Sequence, residues 1–249
     1  MRGPHNLWRL IRTGATFERT GALRHVLETL EAPRLVRITL RALVWPVRWL
    51  GYAGDPTLPP LVRALNALGP AYIKFGQLLS TRPDVVGETL ANELRILQDR
   101  LPPFPTEQAR AEIARELGRP AGELFSEFSE PIAAASIAQV HRARLSADGR
   151  DVAVKVLRPG IERAFRRDID AFYFVASTLE LLVPASRRLR PSDVVAHFES
   201  VVLGELDLRM EAAAAAEFAE NTKDDPGFVV PAVHWQLTER RVLTLDWAE

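Results

Sequence analysis

The sequence predicts an α+β protein in which a helical extension leads into a five-stranded antiparallel sheet with helices on one side. Three observations carry that expectation. Apolar side chains recur at helical spacing from Leu61 to Leu79 and through residues 85–98 and 106–117. Between Leu124 and Val156 the period drops to two, in three short runs bounded by Pro131 or by Asp148-Gly149. Helical spacing then resumes over Ile161–Val183 and Pro191–Asn221, and two short apolar runs, Phe228–Val230 and Arg241–Leu245, read as closing strands.

Taken in order, residues 6–50 read as helices broken near Gly14, Gly21, Pro33 and Pro46, since glycine and proline weaken or end a helix. Gly54-Asp55-Pro56-Thr57 followed by Pro59-Pro60 reads as a linker. Pro70 suits the first turn of a second helix after Gly69, because its missing N–H is not needed there. Leu101-Pro102-Pro103-Phe104-Pro105 ends the next helix, and Gly118 the one after. The first three strands are Leu124–Phe128, Ala138–Leu145 and Asp151–Val156. Three regions follow: a basic amphipathic extension over 1–57, a helical region over 58–120, and an α+β region over 121–249.

Composition narrows the chemistry. With no cysteine, disulfides, thiolate zinc sites and cysteine nucleophiles are excluded. The longest apolar candidate, Ala171–Val183, contains Glu180 and falls short of the roughly 18 residues a membrane span needs. Met1–Asn6 lacks an apolar core before a small-residue cleavage site, so no secretory signal is expected and the location reads as cytosolic or cytosol-facing. The five histidines lack metal-binding spacing, and neither a Gly-x-x-x-x-Gly-Lys-Ser/Thr loop nor a serine nucleophile elbow occurs. No metal-binding residues and no nucleic-acid partner are expected.

Charge is balanced, 32 basic against 32 acidic side chains, yet residues 1–50 hold nine arginines and three glutamates. Arg34, Arg37, Arg41 and Arg48 fall within about 60° of one another on a helical wheel, flanked by Ile38, Trp45 and Trp49. Cations beside indoles suit the boundary between lipid headgroups and acyl chains. The same pattern also suits an ordinary helix with its apolar side packed inward and its arginines in water.

Two words and a turn carry the chemistry. Lys155 ends the run Val152-Ala153-Val154-Lys155 and needs an anionic partner, a role that phosphate oxygens and a glutamate fill. One hairpin earlier, Ile132-Ala133-Ala134-Ala135-Ser136-Ile137-Ala138-Gln139-Val140 stands where a phosphate-cradling turn is expected, with alanine in place of the usual glycine. Small side chains let backbone N–H groups approach a phosphate, whereas a Cβ disfavours positive φ, so a tighter turn is expected. Upstream, Lys74 and Gln77 of Lys74-Phe75-Gly76-Gln77 share a helical face, and Gly76 permits close approach. Counting from Val194, Glu205 falls at about 20° within an apolar stripe of Phe198, Val201, Leu208 and Ala212. A buried carboxylate there needs a cation or a raised pKa, with Lys155 or Lys74 the candidate cations. Should Gly204 break the helix, Glu211 becomes the partner of Lys155; otherwise Asp207 and Glu211 bond each other's neighbours, meet Lys74 or, by default for exposed acids, face water.

These residues resemble the UbiB family of atypical kinase-like proteins, also called the ADCK type. Lys74-Phe75-Gly76-Gln77 is similar to its Lys-x-Gly-Gln signature, Ala133-Ala134-Ala135-Ser136 to its alanine-rich loop, and Glu205-Leu206-Asp207 to its Glu-x-Asp signature; Val152–Lys155 makes a fourth match. The resemblance implies a kinase-like small lobe over 121–249, ATP and Mg2+ as cofactors, and ubiquinone (coenzyme Q) biosynthesis at the cytoplasmic face of a bacterial inner membrane. It makes Lys155, Glu205 and Glu211 the catalytic candidates, residues 132–140 the nucleotide lid, and Lys74, Gly76, Gln77 and Asp207 regulatory. A membrane surface or isoprenoid lipid and other ubiquinone-biosynthesis enzymes are the implied partners.

Val242–Glu249 resembles the strand entering the hinge of such a domain, and neither His-Arg-Asp nor Asp-Phe-Gly occurs, so the second lobe and the magnesium ligands are expected elsewhere in a longer chain. The leading expectation is an ATP-binding kinase or ATPase; its rival is an inactive scaffold that binds lipid or partner enzymes. A small-molecule kinase of the choline or aminoglycoside kind is weaker, because the Lys-x-Gly-Gln helix argues against it.

Overall fold

The computed structural model describes residues 7–97, 101–182, 184–225 and 227–248. The opening Met1–Asn6, on which the reading of a missing secretory signal rests, lies outside them, as does Glu249. The chain forms two compact units, one built from Met1–Asp99 with Arg163–Glu199 and the other from Arg100–Glu162 with Ser200–Glu249.

The first unit opens with α1 (Leu7–Thr20), α2 (Ala22–Thr29) and α3 (Arg34–Val44), then a 3-10 turn over Trp45–Leu50. Gly14 does not break α1 as expected; the helix runs through it, its packing outweighing the roughly 1 kcal/mol that glycine costs in a helix interior. Pro33 caps α3, and the change from α to 3-10 geometry comes at Trp45, where Pro46 cannot supply the next N–H. Gly51 lets this turn close on α1: a Cβ there would collide with the backbone of Ala15 and Thr16. The Arg19 guanidinium donates to the Gly51 carbonyl at 2.6 Å, and the Tyr52 amide donates to Thr16 Oγ1 at 3.0 Å.

α4 (Pro60–Leu68), α5 (Pro70–Ser80), α6 (Pro83–Val86) and α7 (Glu88–Leu94) follow. Later in the chain, α10 (Ile161–Leu182) and a 3-10 turn over Pro184–Leu189 lead to α11 (Pro191–Glu205). Phe75 stacks on Phe172 with centroids 4.7 Å apart and meets Phe198 edge-on at 5.1 Å, joining α5, α10 and the first half of α11. Leu65, Ile73, Leu94, Phe165 and Ile169 are buried in the same unit. Arg9 on α1 donates through Nε to Asp168 on α10 at 2.6 Å.

In the second unit, α8 (Thr106–Leu117) and α9 (Ala121–Leu124) precede β1 (Phe125–Ala134), β2 (Ala138–Leu145) and β3 (Asp151–Leu157). After α12 (Leu208–Asn221) and a 3-10 turn over Trp235–Leu237, β4 (Val242–Asp246) completes an antiparallel sheet in the order β1-β2-β3-β4. The expected five strands are corrected to four. Phe228–Val230 forms no ladder in the described structure, and Phe228 and Val229 are open to solvent; nearby pairing is limited to a single bridge between Val233 and Leu245.

β1 also runs past the expected end at Phe128 to Ala134, because register shifts around Pro131 accommodate a residue that cannot donate to the ladder. One face of the sheet carries Ala143, Leu145, Val152, Val154, Val156 and Val242, buried against Ile113 of α8 and Leu124 and Phe125. Beneath it Glu112 is 2% exposed and lies 2.8 Å from Arg115 and 3.4 Å from Arg241. Among the described residues no helix is long and apolar enough to cross a membrane.

Candidate functional site

Strand alternation sends Val154 and Val156 into the core and leaves Ala153 and Lys155 on the opposite face. The register places Lys155 across from Val140 on β2 and Leu243 on β4, while Val140 in turn faces Ala133 on β1. Ala133, Val140, Lys155 and Leu243 therefore form one row across all four strands. Ala133 is exposed, and Val140 and Lys155 are half-buried.

The Lys155 ammonium donates to both carboxylate oxygens of Glu211, at 2.8 and 2.7 Å. Glu211 lies in the first turn of α12, where the partial positive charge of the helix start favours a carboxylate. Of the two acids considered for Lys155, the one in contact is Glu211. Glu205 is the last residue of α11 and is half-buried. The stripe counted from Val194 is corrected: the buried line on α11 is Val195, Phe198 and Val202, and Val201 is 40% exposed. Gly204 does not break the helix; the break comes at Leu206-Asp207, where Asp207 caps α12 by accepting from the Arg209 amide at 3.2 Å. The Asp207 carboxylate also takes two bonds from the Arg209 guanidinium, which holds it below the usual aspartate range.

The alanine-rich segment is a strand end joined to a tight turn. Ile132, Ala133 and Ala134 finish β1, Ala138, Gln139 and Val140 begin β2, and Ala135, Ser136 and Ile137 make the turn between them. The Ala135 amide donates to the Ala138 carbonyl at 2.8 Å. None of these residues has positive φ, so alanine fits the turn without backbone strain. Ser136 and Ile137 are buried, while Ile132 is 52% exposed.

Gln139 faces the interior. Its Oε1 accepts from the Phe104 amide at 2.9 Å, and its amide nitrogen donates to the Phe104 carbonyl at 3.2 Å and to His141 Nε2 at 2.9 Å. His141 Nδ1 donates to the Ser129 carbonyl at 2.8 Å, a set that fits the neutral ring that burial favours by lowering its pKa. This side chain tethers the Pro102–Phe104 segment to β2.

Arg158 escaped the sequence reading, and Ala153 entered it only as part of the Val152–Lys155 run. Arg158, one residue after β3, donates to the Ala135 carbonyl at 3.0 Å and the Pro102 carbonyl at 2.8 Å, and its own amide donates to the Ile137 carbonyl at 2.8 Å. No local pattern marks it. Ala153, two residues before Lys155 on the same face, was findable from the strand period and leaves the sheet surface low beside the lysine.

Lys74, Gly76 and Gln77 sit on α5 in the first unit. A Cβ on Gly76 would lie 2.8 Å from Leu65 Cδ1 and closer still to Leu97, so glycine allows α5 to seat against α4 and the end of α7. Gln77 donates to the Leu97 carbonyl at 3.4 Å, and Lys74 is half-buried. Among the described residues, no three His, Asp or Glu side chains gather as a metal site would require.

Residues 96–249 match the ABC1 atypical kinase-like domain. A probable protein kinase UbiB from Marinobacter nauticus is 47% identical over 184 residues, covering 74% of this chain and 34% of its own length. One from Pseudomonas paraeruginosa is 42% identical over 224 residues, covering 89% and 42%. The chain thus spans about a third to two-fifths of the length of these curated relatives. The solved complex of Rv3197 with erythromycin from Mycobacterium tuberculosis is similar in fold, with a TM-score of 0.51 and 35% identity over 70% of this chain and 44% of that one.

Proposed function

Because the chain belongs to the ABC1 atypical kinase-like family, we propose that it binds ATP with magnesium and serves ubiquinone biosynthesis as an atypical kinase or ATPase at a membrane surface. The observation that carries this reading is the two-armed contact between Lys155 and Glu211, set in one row with Ala133 and Val140. A carboxylate that fixes an ammonium over small side chains leaves a point charge positioned for phosphate oxygens. Bound ATP supplies the phosphoryl group. This chain's residues orient Lys155 through Glu211 and hold the turn over 135–137 through Arg158. The names of the relatives support the link to ubiquinone, and the solvent-exposed α3 supports the membrane.

The test is titration calorimetry of ATP with magnesium against the parent chain and Lys155→Ala. Loss of a charged contact worth about 1.5–3 kcal/mol should weaken binding by about tenfold or more. Equal affinities would overturn the reading. A second reading, an inactive scaffold binding lipid or partner enzymes, draws on the same uncovered α3; measurable ATP turnover by the full-length protein would dismiss it.

A further inference from the structure

α3 is eleven residues long and has no buried side chain. A helix shorter than about 12–15 residues is marginal in water without a packed face, so this one calls for a covering surface. Leu35, Leu43 and Trp49 are 77%, 73% and 71% exposed, and no acidic residue occurs between Arg34 and Leu50.

Between α2 and α3 lies a cleft of about 410 Å³, lined by Arg24, Arg34, Arg37 and Arg41 with Glu28, Leu27 and Ile38. Arg24 bonds Glu28 at 2.9 Å, and Arg41 lies 3.2 Å from Glu18. Among the described residues, Arg34 and Arg37 have no carboxylate within ion-pair distance.

We propose that this cleft seats the phosphate of an anionic phospholipid headgroup, with Arg34 and Arg37 as its donors, while Leu35, Leu43 and Trp49 enter the acyl boundary. This deepens the membrane-surface reading above and rests on it. Guanidinium groups bind phosphate oxygens in pairs, and indole rings favour the headgroup level. Arg48 lies 5.4 Å from the centre of the Trp45 ring, so a cation and an indole reach the boundary together. An exposed apolar helix next to a cleft in which four arginines outnumber one glutamate fits an anionic bilayer, which presents phosphate and hydrocarbon at adjacent depths.

The experiment is co-sedimentation of the full chain with phosphatidylcholine vesicles, with and without phosphatidylglycerol. The parent chain should bind the mixed vesicles and ignore phosphatidylcholine alone. Arg34→Gln/Arg37→Gln should reduce binding by about tenfold or more, given what each basic side chain contributes at an anionic surface. Leu43→Ser/Trp49→Ser should reduce it too, with circular dichroism and ATP affinity unchanged. Mixed-vesicle binding by Arg34→Gln/Arg37→Gln equal to the parent would overturn the headgroup seat while leaving the membrane reading intact. No parental preference for mixed vesicles would defeat that reading as well. Saturable binding of inorganic phosphate without vesicles, lost in Arg34→Gln/Arg37→Gln, would assign the cleft to a free anion and overturn the lipid. Capture by polyglutamate without vesicle binding would assign the face to an acidic protein and do the same.

Discussion

The side chains of Lys155 and Glu211 are 29% and 47% exposed, so water screens their attraction and the pair stabilises the fold by no more than about 1 kcal/mol. Its value lies in orientation. Glu211→Gln should therefore leave the denaturant midpoint nearly unmoved while weakening ATP binding; chemical unfolding read beside calorimetry checks both. Gly76→Ala should do the reverse, costing about 1–3 kcal/mol in a thermal melt, because a methyl there meets Leu65 and Leu97 in a packed interior. Lys155 was legible from the strand period alone. Glu211 ranked second to Glu205 because the wheel ran through Asp207 as if one helix continued. A capping aspartate restarts the helical phase, and residues beyond it cannot be placed by counting from Val194.

At the scale of elements, the hairpin between β1 and β2 shows what pattern reading captures and what it omits. Alternation placed β2 and β3 within a residue or so, yet Pro131 read as a boundary when it is a point of register shift inside β1. The clamp on the following turn comes from Arg158, 23 residues beyond Ala135, a distance that no local motif spans. Removing it with Arg158→Ala should speed hydrogen exchange at the Ala135 amide by about tenfold, since a charged donor's contact is worth about 1.5–3 kcal/mol. Unchanged exchange would mean that the turn holds its own shape. Ala135→Gly should loosen the same turn by about 0.4–1 kcal/mol through the freedom it adds to the unfolded chain, seen as a lower denaturant midpoint.

Across the whole molecule, the largest pH effect is expected at Asp168, whose side chain is 5% exposed and whose pKa burial pushes up from 3.8 to about 6 against the opposing charge of Arg9. The folded state therefore holds this proton where the unfolded chain has released it. Stability from this group is full below about pH 4 and is lost as pH rises to about 6, a change on the order of 2–3 kcal/mol. Asp168→Asn removes the titration, so the gap between parent and variant unfolding free energies should vary with pH across that window; a constant gap would refute the assignment. Arg9 and Asp168 also show what composition and motif could not reveal, that Met1–Asp99 and Arg163–Glu199 build one unit while the first three strands of the sheet are encoded between them and β4 after them. This interleaving orders synthesis. A ribosome releases α5 long before Phe172 and Phe198, so Phe75 must wait for its first ring partner until residue 172 has emerged and for its second until residue 198 has. A chain truncated at 162 would lack Arg163–Glu199 and leave that unit without Phe172 and Phe198.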